Sequence, residues 1–500
     1  MLTYDDLTQP EQELWDAFPE GRRVSLRTSA SDASGHAAGT EHAPEHSVRA
    51  AVITALLLGA NGERAGAVSA LQLAGARITG TLDLSGAEVG HTLWLENCLL
   101  DEAVKLRGAT TRTVRIRNCR VPGIDAGLAR IEGALDLRST IVEGGCLTLI
   151  HARVAGELAL TDARISGPEE WAVFAGGLVM EGAVFAKRLI TRGGVRIPGA
   201  HLPGGLFLQG ARLENPGGTA LAAGHVVAST IDCSQGFTAQ GAVRLRGARI
   251  EDLLTFEGAH LNGVGTALVG TAMQVGDFDF RTAVPPAGAV DLRSAHATWC
   301  QDRERSWPEE VLLEGFTYDS IRSGDATSAT GVTTGDDVAN RLAWVRRNPG
   351  YAPQPYEQLA GRYRQIGHDG DARRVLLAKQ RHRRRTLHPA GRLWGHLLDV
   401  TVGYGYRPWL AGVWLLALTL LGTLVFRSHS PSPVKPGEGA PFQPFVYTLD
   451  LLIPIGGLGH RTAWYWTDGI SQWLAYVLIA TGWMLTTAVV AGMTRTLNRN

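Results

Sequence analysis

The chain is 500 residues long and carries 48 Lys plus Arg against 48 Asp plus Glu, a formal net charge of zero. That balance excludes a globally basic nucleic-acid binder or an acidic mimic, and the length leaves room for two or three domains with a sizeable core. The five cysteines (Cys98, Cys119, Cys146, Cys233, Cys300) are odd in number and never spaced as CxxC, which argues against a disulfide framework or a zinc finger and suits a reducing compartment.

The first 18 residues are acidic and lack a long apolar run, so no signal peptide is expected there. Thr8 to Phe18 reads as a short helix, with Thr8-x-x-Glu11 at capping-box spacing and Pro10 in the first turn. Ser25 to Ala43, rich in Ser, Ala, Gly and His, reads as a mobile loop. His46 to Leu58 reads as an apolar helix that covers the first coil of a repeat region, so residues 1–67 form an N-terminal cap.

From about Val68 a short phrase dominates, Gly-Ala-x-aliphatic-x-x-x-Leu-x-Leu. It appears twice in GARITGTLDLSGAEVGHTLWL (Gly75–Leu95) and returns as ARIEGALDL, ARVAGELAL, GAHLPGGLFL and GAVRLRGARI. A short period sustained this long specifies a solenoid. Alternate residues of an extended chain face one way, so Ala76, Ile78, Leu82 and Leu84 point inward. Two phrases make one coil of 21 residues, which is why Asn97-Cys98 recurs as Asn118-Cys119, with both cysteines at the small buried position. Interruptions at Pro168–Gly177, Asn215–His225 and Asn262–Met273 read as loops or bulges projecting from the coils. Trp94, Arg115 and Asp136, again 21 apart, fall between the inward residues and are expected to stack on one outer face. Arg115 would then lie between an indole and a carboxylate; an exposed ladder of this kind contributes little energy. Between Val68 and Arg293 there are 21 basic and 22 acidic side chains, which disfavours DNA mimicry and nucleic-acid binding for the rod.

The phrase resembles the pentapeptide-repeat proteins. That resemblance implies a right-handed parallel β-helix over 68–321, closed by Trp299–Ile321, and makes the chain mainly β. A spacer (Ser323–Gly335) and a helix (Asp336–Arg347) open a basic neck over 322–408. Its segment 355–385, PYEQLAGRYRQI and DARRVLLAKQRHRRR, is similar to one tetratricopeptide hairpin and implies packing or docking.

Trp409–Phe426 and Trp473–Met493 hold no charged residue over 18 and 21 positions, long enough for two membrane-spanning helices. Nine Lys or Arg and one acid lie between Arg373 and Arg407, including Arg381, Arg383, Arg384, Arg385 and Arg407. The loop 427–470 holds only Arg427, Lys435 and Arg461. The positive-inside rule puts both termini and the solenoid in the cytoplasm of a bacterial cell, at the inner membrane, with the basic neck against anionic headgroups of the bilayer.

Thr401-Val402-Gly403-Tyr404-Gly405 spells a potassium-channel filter but precedes the first span, where it cannot line a pore. GYGYRPW before a span, a loop and a second span resembles the two-span channel-like module that follows pentapeptide repeats in some bacterial proteins. The resemblance puts any filter in Phe445–Gly459, where Gly456, Gly457 and Gly459 stand without the Thr-x-Gly-Tyr-Gly-Asp signature. His42-x-x-Glu45-His46 has metal-site spacing but is interrupted by Pro44, so no metal is expected. No Walker A, GxSxG or HExxH motif occurs and no cofactor is expected.

Over most of its length the chain is similar to actinobacterial proteins labelled membrane-associated oxidoreductases, through LWDAF, the repeat phrase, AGRYRQIGHDGDARRVLLAKQ, TVGYGYRPW and YTLDLLIPI. The label implies redox chemistry without assigning it to a residue. The residues themselves point to a non-catalytic, membrane-anchored solenoid scaffold for a cytoplasmic protein partner. The alternatives are a channel or sensor, with self-association (a homo-oligomer) through the spans, and the oxidoreductase.

Overall fold

The computed structural model describes residues 4–26, 46–62, 64–323, 335–405, 409–428, 431–435, 441–453, 457–467 and 469–497. The chain divides into two compact units, Met1–Gln358 and Leu359–Asn500.

The first unit is a parallel β-solenoid of about 11 turns over residues 70–322. Its strands form two sheets, of 19 and 16 strands, in which each strand pairs in parallel with its copy one coil on. The repeat phrase explains the coil. Ala76, Ile78, Leu82 and Leu84 are all buried. The Gly-Ala that opens each phrase completes a tight turn: the Ala87 amide donates to the Leu84 carbonyl at 3.0 Å, with Gly86 at φ 69° between them. The same corner recurs at Leu106–Ala109 with Gly108 and at Ala126–Ala129, where Leu128 takes φ 60°. A positive φ is cheap for glycine and costs a side-chain-bearing residue strain, so glycine is frequent at this corner. The opposite corner uses Asn97 and Asn118, whose side chains bond to each other at 2.5 Å from coil to coil. Cys98 and Cys119 come next in the chain and are buried, as the small position of the phrase requires.

At the N-terminal end, helix α1 (Gln9–Ala17) and helix α2 (Ala50–Leu57) accompany the first coil. The sequence expectation of one helix over His46–Leu58 needs correction. Ser47–Arg49 is a strand paired with Arg77–Thr79 at the edge of the second sheet, because Val48, alternating with two polar residues, turns into the core as a strand residue does. Glu11, three residues past Thr8, accepts the Thr8 amide at 3.0 Å. It is buried and also takes the Arg49 amide and guanidinium at 2.9 and 2.6 Å, so the capping residue ties α1 to that strand.

Two of the three interruptions of the phrase are bulged strands, and the third, Asn262–Met273, opens as a short loop between the strands His260–Asn262 and Thr266–Val269. In Arg164–Phe174 and again in Arg212–Ala222, four extra residues are accommodated against the unbulged neighbours Ile190–Arg196 and Thr238–Arg244. Trp299–Ile321 continues the coil, with His296–Asp302, Val311–Leu312 and Thr317–Ser323 pairing onto the preceding strands. Helix α3 (Gly335–Val345) brings Trp344 against Trp307, Phe316 and Tyr318, and Arg341 onto Asp302. Helix α4 (Pro353–Gln365) opens with Gln354 and Gln358, which donate to the carbonyls of Phe316 and Tyr318 in the last coil.

The second unit is helical. Helix α5 (Asp369–Thr386) and helix α6 (Pro389–Val402) precede helix α7 (Trp409–Arg427). Helix α8 (Pro444–Leu452), the short helix α9 (His460–Ala463) and helix α10 (Gly469–Leu497) complete it. Among the described residues, one helix, Trp409–Arg427, is long and apolar enough by length and composition to cross a membrane. Of the expected loop Ser25–Ala43 and spacer Ser323–Gly335, residues 27–43 and 324–334 lie outside the described residues, while Ser25 and Ser323 end strands and Gly335 begins α3.

Candidate functional site

Strand pairing sets Arg115 beside Trp94 on one side and Asp136 on the other. The Arg115 guanidinium lies 5.1 Å from the Trp94 ring centroid, and Arg23 and Arg117 approach the same ring at 5.9 and 5.8 Å. The expected sandwich of Arg115 between indole and carboxylate needs correction at its far end. Asp136 is buried, and its carboxylate accepts Arg117 Nε at 2.5 Å and Arg138 Nε and Nη2 at 2.9 and 2.6 Å. Arg117 and Arg138 each stand two residues on from the register positions 115 and 136, so Arg117 reaches Asp136 diagonally from the neighbouring coil and Arg138 reaches it from two residues along the same coil. The period-2 pattern carried that signal, although the 21-residue spacing did not.

This face is a cationic and aromatic surface held by one buried acid. Burial opposes ionisation of Asp136, but the hydrogen bonds from Arg138 and Arg117 outweigh it and hold the carboxyl below the usual carboxylate range. Its contribution to stability is therefore fully present above the unfolded-state pKa of about 3.9, and is lost as pH falls through the lower folded value. Asp136→Asn is expected to cost about 1–2 kcal/mol near neutral pH, the worth of charge-assisted hydrogen bonds to partly exposed partners. In thermal melts across pH, the gap between variant and wild type should close below about pH 3.9; a gap of constant size would sink this account.

The neck arginines separate into two groups. Arg381 and Arg384 both pair with Asp399 of α6, at 3.0 and 3.2 Å, so they fasten α5 to α6. Arg383 and Arg385 are exposed and have no carboxylate partner among the described residues. Arg407 lies outside the described residues, as do Gly456 and the His42 and Glu45 of the candidate metal motif. Thr401 and Val402 end α6, and Gly403–Gly405 form a single turn of 3-10 helix with Tyr404 at φ 54°.

Helix α8 packs against both α7 and α10. Its apolar face, with Tyr447, Leu451 and Leu452, joins Phe426, Trp466 and Leu478 in one cluster. The Trp466 indole N–H donates to the Tyr447 hydroxyl at 3.1 Å. Asp450, buried at the end of α8, accepts the backbone amides of Leu458 and Arg461, both at 2.7 Å. That carboxylate holds the turn containing Gly457 and Gly459 back against α8, and Gly459 takes φ 81° there. Sequence reasoning singled out these glycines but missed Asp450, because a lone acid in an apolar segment shows its partners only when the loop folds back on it.

No family model, curated protein or solved structure matches the chain. Its own geometry therefore carries the functional reading. Among the described residues, no three His, Cys, Asp or Glu side chains converge as a metal site. The buried thiols of Cys119, Cys233 and Cys300 are pushed up by desolvation, the opposite of what a reactive thiolate needs.

Proposed function

We propose that the protein is a membrane-anchored scaffold. Helices α7 and α10 span the bilayer with both termini on the cytoplasmic side, and the solenoid presents its outer faces to a cytoplasmic protein partner. The observation that carries this reading is the inverted polarity of the second unit. Leu416, Leu420 and Leu424 of α7 and Trp473, Val477 and Trp483 of α10 are exposed, while Thr419, Thr448, Asp450 and Ser471 are buried. A water-soluble bundle has the opposite arrangement, and an exposed apolar surface of this extent suits lipid. The sequence 473–493 carries no charge, which supports α10 as the second span. Exposed Arg383 and Arg385 supply charge for anionic headgroups. The solenoid's inward residues are wholly occupied in packing, so a partner would meet outward side chains such as those around Trp94.

The test is topological. A cysteine introduced as Lys435→Cys should react with a membrane-impermeant maleimide on intact cells, while the protein resists alkaline extraction from membranes. Labelling only after permeabilisation would overturn the orientation, and release by alkali would overturn the anchor.

A second reading, a channel-like or sensor module, is favoured by α8 packed against both α7 and α10 and by the Asp450 clamp on the glycine turn behind it. It requires several copies around an axis. Ion flux into liposomes that disappears with Gly457→Val would support it, and a monomer in mild detergent without flux would end it.

A further inference from the structure

The two bulges in the second sheet make a groove that neither the repeat nor the membrane reading uses. Arg164–Phe174 and Arg212–Ala222 each carry four extra residues, and the coil between them, Ile190–Arg196, carries none. The bulges therefore form two lips, Glu170-Trp171 and Gly217-Gly218-Thr219, over the intervening coil. Gly194 lies beneath both. A Cβ there would come within 2.8 Å of the Trp171 ring, so the glycine is what allows the lips to close down.

Beside the lips the chain opens into a concavity of about 570 Å³. In strand register, Arg196 pairs with Ala222, and Ala222 with Arg244. Two guanidinium side chains thus flank a small residue, their backbones about 10 Å apart at two coil spacings. Arg246 and His225 add to the Arg244 wall, Ala222 and Gly224 form the floor, and Trp171 stands 5.8 Å from Arg196. Elsewhere on the solenoid, Arg188 is neutralised by Asp162, and Arg281 by Asp279 and Glu257. Arg196, Arg244 and Arg246 are exposed and have no carboxylate partner among the described residues, and Glu170 is the one acid lining the groove.

We infer that this groove binds a phosphate group. Guanidinium forks lining one concavity offer paired donors matched to phosphate oxygens, and a floor of alanine and glycine leaves a tetrahedral group room between the walls. A soluble metabolite and a lipid headgroup both present such a phosphate, and the chemistry of capture is the same. The inference does not depend on where the chain resides.

Equilibrium dialysis of the detergent-purified full chain against radiolabelled pyrophosphate tests it. Saturable binding is expected in the wild type. Arg196→Ala combined with Arg244→Ala should weaken it at least tenfold, and so should Ala222→Asp, which sets a carboxylate between the two arginines. Arg212→Ala, an exposed arginine outside the groove, should leave it unchanged. Competition by glycerol 3-phosphate and by soluble short-chain phosphatidic acid identifies the source. Stronger competition by the former points to a metabolite and by the latter to a headgroup, and either result supports phosphate capture. No retention of pyrophosphate by the wild type, wild-type affinity in both groove variants, or an equal loss in Arg212→Ala would overturn it.

Discussion

Arg341→Met is expected to cost the solenoid about 3–5 kcal/mol, the usual penalty for stranding one member of a buried ion pair. Asp302 and Arg341 are almost wholly removed from solvent, with side-chain exposures of 2% and 5%. Two guanidinium nitrogens donate to the carboxylate at 2.6 and 2.8 Å, and the Trp307 indole adds a third bond at 2.7 Å. Methionine fills the volume but leaves the Asp302 charge with the indole alone. The pair joins the strand His296–Asp302 to α3, so the loss should appear as early unfolding of the C-terminal end of the solenoid. Hydrogen exchange read by mass spectrometry would register it as faster exchange across 296–323. Removing both partners, as in Asp302→Leu with Arg341→Met, should cost much less, because no charge is left buried and unpaired. If the single variant melts with the wild type, the ion pair does not hold this end together.

Gly482→Leu is expected to separate α8 from α10 and abolish the folded second unit in detergent. A Cβ at position 482 would lie 2.8 Å from the Leu452 Cα, and still closer to the Leu452 carbonyl oxygen. Backbone atoms cannot rotate aside as a side-chain end can. Even Gly482→Ala should destabilise by about 1–3 kcal/mol, the range for overpacking a tight contact. Gly422, whose added Cβ would meet Thr448, marks the equivalent close approach of α7 to α8. Gly412 is the internal control. It faces open space, so Gly412→Ala should be neutral or slightly stabilising through helix propensity. Size-exclusion profiles after heating in detergent would separate these cases; equal survival of Gly482→Leu and Gly412→Ala would show that the close approach is not needed.

The parts of this protein that repeat are legible in the order of its residues. Inward Ala76, Ile78, Leu82 and Leu84, the glycines at the corners, and the register joining Trp94, Arg115 and Asp136 all come from a period of two within strands and of 21 between early coils. Such features depend on residues that are near in sequence or related by a constant step, so a pattern suffices to find them. The apolar run of α7 is legible for the same reason, being local composition.

Partnerships that obey no period emerge only on folding. Arg341 reaches Asp302 from 39 residues away, and Arg49 reaches Glu11 from 38. Asp450 acquires its two amides only when the turn through Gly457 and Gly459 folds back. Arg196 and Arg244 come to flank Ala222 because each intervening coil has its own length, 26 residues from Arg196 to Ala222 and 22 from Ala222 to Arg244. An insertion changes the spacing in sequence while hydrogen bonding keeps the register in space. The strand ladder therefore brings together residues that no fixed spacing in the chain would have paired.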